Sequence, residues 1–257
     1  MQDLKVVIVQ ADQKWEDKKG NFVNYTSLLS AIKETDLIVL PEMFHTGFSM
    51  NVEKLGEKFE ESEGINWLKK LADEKKAAVY TSLIIQDKNE YYNRGVFVYP
   101  NGNLEYYDKR KSFCLAGEDK YFSAGNNRTI VEYKGWKIQL QICYDLRFPE
   151  IARNEIDTNG DAIYDVLIYV ANWPERRSLH WKSLLQARAI ENQCYVIGVN
   201  RCGQDGSNLS YSGDSSIISP LGEKLIEINF NELISEKVLA YKELINTRKA
   251  LPFLKDK

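Results

Sequence analysis

The 257-residue sequence is poor in the residue types that build metal centres and disulfide frameworks. It contains two histidines and four cysteines, and no two cysteines form a C-x-x-C pair. Zinc sites and disulfide frameworks usually show as closely spaced cysteines and histidines. The sequence therefore predicts neither a metal site nor a disulfide framework, and we expect the thiols to be reduced.

The sequence also lacks an excess of charge of either sign. Its net charge is -3, and lysines and glutamates are interspersed along the chain. Without a basic stripe, neither nucleic acid nor an anionic membrane is the expected partner. A small-molecule ligand fits this charge pattern better.

Long apolar runs are absent as well. No run approaches the roughly 18 residues that a membrane-spanning helix needs. The amino terminus carries charges within its first five residues and no small-residue cleavage site of a signal peptide. These features predict a cytoplasmic protein that does not enter the membrane.

What the sequence does contain is an alternation of apolar strands and amphipathic helices, and the order of these elements repeats once. In the first half we predict a strand at 6–9, a helix within 16–33, a strand at 36–40, a helix around 65–72, a strand at 77–85 and a hairpin with arms at 95–99 and 104–109. In the second half we predict a strand at 138–142, a helix from 151, a strand at 165–170, a helix capped by Ser178, a strand at 194–199 and a hairpin with arms at 215–219 and 223–228.

This duplicated order indicates an α/β fold with two mixed sheets. Strands that are apolar throughout are buried on both faces, so each sheet needs the other sheet on one side and helices on the other. We expect a four-layer α-β-β-α sandwich with internal pseudo-twofold duplication, and a single doubly wound sheet is the alternative. No linker divides the chain, so residues 1–240 form one domain. The tail, residues 241–257, docks on that domain or at a subunit interface.

Cys143 lies where a predicted strand ends. Ile138, Leu140 and Ile142 alternate with two glutamines, and Pro149 is suited to the first turn of a helix. Side chains at such a strand-to-helix turn leave the sheet at its carboxyl edge, where α/β proteins bind ligands. Cys143 is therefore a candidate nucleophile, and a small buried core residue is the alternative.

Glu42 and Lys109 end two other predicted strands. A thiol is mostly protonated at neutral pH, and a carboxylate within hydrogen-bond reach can take its proton as the attack begins. Glu42 is the candidate base. Lys109 would favour thiolate and carboxylate together and, with the backbone N–H of Tyr144, would stabilise an oxyanion. Taken singly, Glu42 and Lys109 are also typical of solvated surface charges.

A papain-like or transglutaminase-like acyl transferase, in which a histidine assists the cysteine, is a different enzyme hypothesis. It pairs Cys143 with His45 or His180 and uses Asn172 to orient the imidazole. The sequence lacks the local signature of such nucleophiles. His180 also falls on the apolar stripe of its predicted helix, where a core histidine is commoner than a catalytic one.

Three segments resemble the signatures of the carbon–nitrogen hydrolase (nitrilase) superfamily: Leu-Pro-Glu at 40–42, Tyr-Asp-Lys at 107–109 and Cys-Tyr-Asp-Leu-Arg-Phe-Pro-Glu at 143–150. The resemblance runs from Val6 to about Ile228. It implies the α-β-β-α fold, a Glu42–Lys109–Cys143 triad and a second catalytic glutamate at Glu118. It also implies that no cofactor is needed and that the sandwiches assemble into dimers or higher homo-oligomers.

Residues 171–181 and 186–193 are similar to the omega-amidase branch of that superfamily. This implies hydrolysis of monoamides of small dicarboxylic acids, such as 2-oxoglutaramate or 2-oxosuccinamate, through a thioester. Such a substrate needs a cation for its distal carboxylate, and arginine is suited to that pairing. The candidate substrate-binding residues are Arg147, Arg176, Arg177, Asn172, Trp173 and Phe48. For Arg147, an ion pair with Asp145 or Glu150 is equally consistent with the sequence.

Four further functions remain open at this point. The same triad also serves other amidases, N-carbamoyl hydrolases and nitrilases. A catalytically silent protein that binds a small carboxylate or a protein partner is the non-enzymatic alternative.

Overall fold

The apolar runs of the sequence form two sheets in the structure, a computed structural model that describes residues 2–256. The strands are β1 (Leu4–Gln10), β2 (Leu37–Val39), β3 (Glu57–Lys58), β4 (Ala78–Asp87), β5 (Glu90–Val98), β6 (Leu104–Asp108), β7 (Ile130–Tyr133), β8 (Trp136–Ile142), β9 (Val166–Ala171), β10 (Tyr195–Asn200), β11 (Cys202–Gln204), β12 (Ser210–Ile218), β13 (Lys224–Asn229) and β14 (Leu233–Leu239). The helices are α1 (Lys18–Leu29), α2 (Val52–Leu55), α3 (Glu63–Lys75), α4 (Pro149–Ala152), α5 (Ser178–Asn192) and α6 (Tyr241–Ala250).

The order of strands is duplicated between the two seven-stranded sheets. The first sheet has the order β14-β1-β2-β4-β5-β6, with β3 paired to β4, and the second has the order β11-β12-β10-β9-β8-β7, with β13 paired to β12. Strands β1, β2, β4, β5 and β6 thus correspond to β8, β9, β10, β12 and β13. The predicted internal duplication is confirmed.

The two sheets pack face to face. Alternate side chains of β1 and β8, such as Val6 and Leu140, are fully buried in one cluster between the sheets. The neighbouring Val7 packs instead under α1 and α3, and Trp181 of α5 covers the outer face of the second sheet. Because β1 is buried on both faces, its sequence is apolar from Val6 to Val9, whereas β8 carries two buried glutamines between its apolar residues. The four-layer sandwich is confirmed, and the single doubly wound sheet is wrong.

Four strands were not expected from the sequence, the short β3 and β11 and the longer β7 and β14. β14, near the end of the chain, pairs antiparallel with β1 of the first sheet and brings Leu239 opposite Leu4. β7 pairs antiparallel with β8 of the second sheet. The first sheet is therefore completed by a strand from the far end of the chain, which ties both halves into one structure.

Several element boundaries differ from the predictions. β5 begins at Glu90 and pairs with β4, so the first predicted hairpin is part of a three-stranded meander. Ser178 is the first residue of α5 and Arg177 is its N-cap. Ile190 of α5 is 51% exposed, and the buried side of that helix includes Arg188 and Ala189.

The tail docks on its own chain through α6. Leu244 is fully buried in the cluster between the sheets. The Arg248 guanidinium lies 2.7 Å from an oxygen of Asp165 and also donates to the backbone oxygen of Gln193. In the tail, α6 therefore packs against the sheets of its own chain, and docking at a subunit interface stays a prediction. None of the helices between residues 2 and 256 combines the length and hydropathy of a membrane-spanning segment.

Candidate active site

Three strand ends deliver Glu42, Lys109 and Cys143 to one cavity of about 530 Å³. Glu42 follows β2 after Leu40 and Pro41, Lys109 directly follows β6, and Cys143 directly follows β8. The side chains of Glu42 and Lys109 are 0% and 3% exposed. The convergence expected from the sequence is therefore present, and neither charge is a solvated surface group.

Cys143 occupies a strained turn. Its φ is 44°, in the left-handed region that non-glycine residues rarely adopt, and it opens a 3-10 turn that runs to Arg147. Asp145 braces this turn, because its carboxylate accepts the backbone N–H of Ile142 at 3.0 Å and the hydroxyl of Tyr107 at 2.8 Å. A carboxylate from the turn thus fastens Cys143 to the strand that carries Lys109.

Two carboxylates share the ammonium of Lys109. Its Nζ lies 2.9 Å from both oxygens of Glu118 and 3.2 Å from Oε1 of Glu42. Glu118 begins a 3-10 turn and is 1% exposed. Burial alone would lower the pKa of Lys109, but the charges of Glu118 and Glu42 outweigh it and raise that pKa. Lys109 therefore stays protonated.

Cys143 is a thiol at rest. Burial raises the pKa of Cys143 well above its usual value, and the negative charge of Glu42 raises it further. Lys109 and the backbone N–H of Asn172 act in the opposite direction without reversing the result. The sequence led us to expect that Lys109 favours the thiolate, but burial and the charge of Glu42 have the larger effect. A nucleophilic Cys143 would therefore have to give up its proton during the attack.

The three arginines of the prediction all line this cavity, as do Phe48 and Tyr144. The Arg147 guanidinium lies 4.7 Å from the centroid of the Trp173 ring, and its Nη2 lies 3.2 Å from Nδ1 of His180. Among residues 2–256 no carboxylate oxygen lies within 4.0 Å of Arg147, so the predicted pairing with Asp145 or Glu150 is absent there.

The other two arginines line the same cavity, together with the acidic residues Glu16 and Asp205. Arg176 is exposed, and the Arg177 guanidinium lies 5.3 Å from the centroid of the Phe113 ring. Burial and the charges of Arg176 and Arg147 lower the pKa of Arg177. Neighbouring cations that repel one another attract an anionic ligand.

Asn172 lines the cavity, but its donors are used by Glu42. Its backbone N–H donates to Oε2 of Glu42 at 2.7 Å, and its side-chain amide donates to the backbone oxygen of Glu42 at 2.6 Å. The structure thus places Asn172, predicted to bind substrate, as a support of the carboxylate.

Neither histidine lines the cavity that holds Cys143. His45 is fully buried, and its Nε2 lies 2.9 Å from Oε1 of Glu57. His180 is exposed on α5 beside Arg147, so its expected place on the apolar stripe was also wrong. The histidine-assisted cysteine is therefore not the arrangement of this site.

Part of the cavity wall and one polar residue behind it were not predicted from the sequence. The missed lining residues include Trp15, Met50, Phe113, Leu209 and Tyr211. Asn93, in the interior of β5, donates to Glu42 and Glu118. A polar residue inside an otherwise buried strand was the one signal that could have drawn attention to Asn93.

Removing the shared ammonium should destabilise the fold. The Lys109→Met variant leaves Glu42 and Glu118 as buried charges without a cation, and we expect a loss of about 3–5 kcal/mol in the free energy of unfolding. Urea titration followed by circular dichroism measures it. The Lys70→Met control removes an exposed pair with Glu74 and should cost less than about 1 kcal/mol. Equal stabilities of the two variants would contradict this account.

Comparison with known proteins places the chain in a family. A model described as "Carbon-nitrogen hydrolase" matches residues 5–244. The chain belongs to the carbon-nitrogen hydrolase family. As a carbon-nitrogen hydrolase, the protein is an enzyme that hydrolyses carbon–nitrogen bonds other than peptide bonds.

Relatives of this carbon-nitrogen hydrolase cover most of its length. "Omega-amidase YafV" of Escherichia coli (strain K12) is 44% identical over 223 residues, which are 87% of this chain and 84% of that protein. "2-oxoglutaramate amidase" of Bacillus subtilis (strain 168) is 36% identical over 229 residues, 87% of this chain and 85% of that protein. The crystal structure of XC1258 from Xanthomonas campestris, a CN-hydrolase superfamily protein with an arsenic adduct in its active site, has a TM-score of 0.97. It is 38% identical, and the match covers 100% of this chain and 98% of that one.

Proposed function

We propose that the protein is an omega-amidase that converts 2-oxoglutaramate or 2-oxosuccinamate to the dicarboxylate and ammonia. The observation that carries the proposal is a single cavity in which a thiol, a buried carboxylate and a buried ammonium face three arginines. The names of the relatives, an omega-amidase and a 2-oxoglutaramate amidase, support the same substrate class.

In the first half of the reaction, the sulfur of Cys143 attacks the amide carbon. The thiol proton passes to Glu42 as the sulfur–carbon bond forms, and the carbonyl electron pair moves onto oxygen. The ammonium of Lys109 and the N–H of Tyr144 stabilise this oxyanion. Glu42 then gives its proton to the amide nitrogen, the carbon–nitrogen bond breaks, and ammonia leaves a thioester on Cys143.

In the second half, water replaces ammonia. Glu42 takes a proton from the water as it attacks the thioester carbon, the sulfur–carbon bond breaks, and Cys143 recovers its proton from Glu42. The carboxylic acid is released. Glu118 keeps Lys109 charged and in place throughout, because it accepts two of the hydrogen bonds of that ammonium.

The substrate carboxylate would be bound by the arginines that line the cavity. Arg147 has no carboxylate partner among the described residues, and its guanidinium is held over the Trp173 ring. Arg176 and Arg177 add to the positive potential. Phe48 and Trp173 would contact the carbon chain of the substrate, since both line the same cavity.

An ammonia-release screen tests the substrate class. The panel is 2-oxoglutaramate, 2-oxosuccinamate, succinamate, glutaramate, an N-carbamoyl amine, a simple nitrile and a neutral amide of similar length. We expect the 2-oxo acid monoamides to give the highest kcat/KM. A higher value for the nitrile or the N-carbamoyl amine would replace this proposal by another activity of the same family.

Arginine variants test the carboxylate site. Arg147→Gln should raise KM for 2-oxoglutaramate by at least about tenfold, the effect of losing a hydrogen bond between charged groups. KM for the neutral amide should stay the same. Arg128→Gln, outside this cavity, is the matched control. If Arg147→Gln alters both substrates equally, Arg147 does not bind the carboxylate, and Arg176→Gln and Arg177→Gln are compared next.

We further propose that residues 1–240 form one domain and that the cytoplasmic enzyme assembles as a homodimer or a higher homo-oligomer. The strand β14, which completes the first sheet from the end of the second half, supports the single domain. Light scattering after size-exclusion chromatography measures the assembly, and a mass of one chain at micromolar concentration would contradict it.

A further inference from the structure

Asn93 is a buried polar residue of β5 that points toward the catalytic carboxylates. It is 2% exposed. Its backbone oxygen accepts the N–H of Lys109 at 3.0 Å, so the same residue also holds the strand end that carries the ammonium. The next residue, Arg94, forms a two-point ion pair with Asp108. Asn93 therefore occupies a rigid position.

The amide of Asn93 lies between two acids. Its Nδ2 is 2.7 Å from Oε1 of Glu42 and 3.3 Å from Oε1 of Glu118. Because carboxylates only accept hydrogen bonds, the amide nitrogen must face them. Its own Oδ1 is buried and has no hydrogen-bond partner within residues 2–256. A buried carbonyl without a donor gains nothing for stability, which indicates that the two carboxylates determine how this side chain is placed.

The hydrogen bonds make the two oxygens of Glu42 unequal. Oε1 receives the amide of Asn93 and the ammonium of Lys109. Oε2 receives one backbone N–H, that of Asn172, which also faces the Cys143 sulfur. We propose that Asn93 is a positioning residue that engages Oε1, so that Oε2 is the atom that takes the thiol proton of Cys143. The later transfer of this proton to the leaving nitrogen rests on the proposed function.

The hydrogen bond from Asn93 to Glu42 should affect how the reactivity of the Cys143 thiol depends on pH. The titratable groups that face Glu42 are Lys109, Glu118, Cys143 and, from β4, Tyr80. Without the Asn93 donor, the Glu42 carboxylate has one stabilising hydrogen bond fewer. More of the carboxylate is then protonated at a given pH, and fewer molecules can accept the thiol proton.

The experiment measures alkylation of Cys143 by iodoacetamide, a neutral reagent, as a function of pH. Cys114 is an exposed thiol, so every protein carries Cys114→Ser, and mass spectrometry follows modification of Cys143. For Asn93→Ala and for the nearly isosteric Asn93→Leu, which removes the donor without adding a charge, we expect the acidic limb of the rate profile to move up by about one pH unit. With the amide substrate, kcat should fall about tenfold and KM should change less than about twofold.

Asn154→Ala is the matched control, because Asn154 is also a buried asparagine whose amide makes two hydrogen bonds, but outside the cavity. It should lower the stability and leave the pH profile of alkylation unchanged. Profiles of both Asn93 variants that superimpose on the parent would overturn the inference, and so would an equal shift in Asn154→Ala. If the parent shows the acidic limb but releases no ammonia from any amide, the proposed function fails while the role of Asn93 can still be measured.

Discussion

The Cys143→Ala variant should lose at least about 10⁴-fold of the amidase turnover, as expected when the nucleophile of a catalytic group that acts as a unit is removed. The thioester forms on the sulfur of Cys143, and alanine has no atom that could replace it. Ammonia release from 2-oxoglutaramate measures the loss. Retention of most of the activity would contradict the assignment of Cys143 as nucleophile.

The fold of this variant should remain intact. Cys143 is partly buried, and its turn is held by Asp145 through backbone and hydroxyl donors that alanine leaves in place. The positive φ of 44° is unfavourable for alanine as it is for cysteine, so the strain is unchanged. Circular dichroism and urea titration should therefore match the parent. Cys194→Ala, a buried thiol outside the cavity, is the control that should keep its turnover.

The Glu42→Gln variant should lose about 10²–10⁴-fold of the turnover, the range typical of a general acid–base residue. Glutamine cannot accept the thiol proton or return it to the leaving nitrogen. The amide oxygen of glutamine can still accept from Asn93 and Lys109, whereas its amide nitrogen would face the N–H of Asn172, so the variant loses one hydrogen bond at this position. Steady-state kinetics with 2-oxoglutaramate measures this effect.

The Glu42→Gln variant also tests whether Glu42 takes the proton of the Cys143 thiol. In the parent, the pKa of Cys143 is raised by burial and by Glu42, so alkylation near neutral pH depends on proton transfer to the carboxylate. In Glu42→Gln, alkylation by iodoacetamide requires ionisation of the thiol itself, and its rate should keep rising into the alkaline range. An unchanged rate and pH profile would show that another group takes the proton.

The local patterns of the sequence determined the elements and the three strand ends. The apolar run 6–9 predicts a strand buried on both faces, the alternation at 138–142 predicts a strand by its period of two, and Pro149 limits where the following helix can start. Glu42, Lys109 and Cys143 were identified because each lies at or just after the end of a predicted strand. Residues next to a strand end in sequence are next to it in space, so this information is local.

Contacts between distant segments were decided only by the tertiary structure. Asn93 and Glu42 are 51 positions apart, and their hydrogen bond depends on how β5 and β2 are arranged around β4. The N–H of Asn172 reaches Glu42 across 130 positions because the two sheets face each other. Neither separation leaves a periodic pattern along the chain. The same holds for β14, whose pairing with β1 joins the two ends of the protein.

The protonation of the site residues also depends on the folded structure. In the sequence, Glu42, Lys109 and Glu118 look like surface residues. Only in the folded chain are they buried, and burial strengthens the electrostatic interactions between them. The chain alone thus determined the fold class, the duplicated order of elements and the identity of the triad candidates. The tertiary structure decided that the thiol is protonated, that Arg147 lacks a carboxylate partner among residues 2–256, and which donors each oxygen of Glu42 receives. Burial and hydrogen bonding depend on residues that only folding brings together.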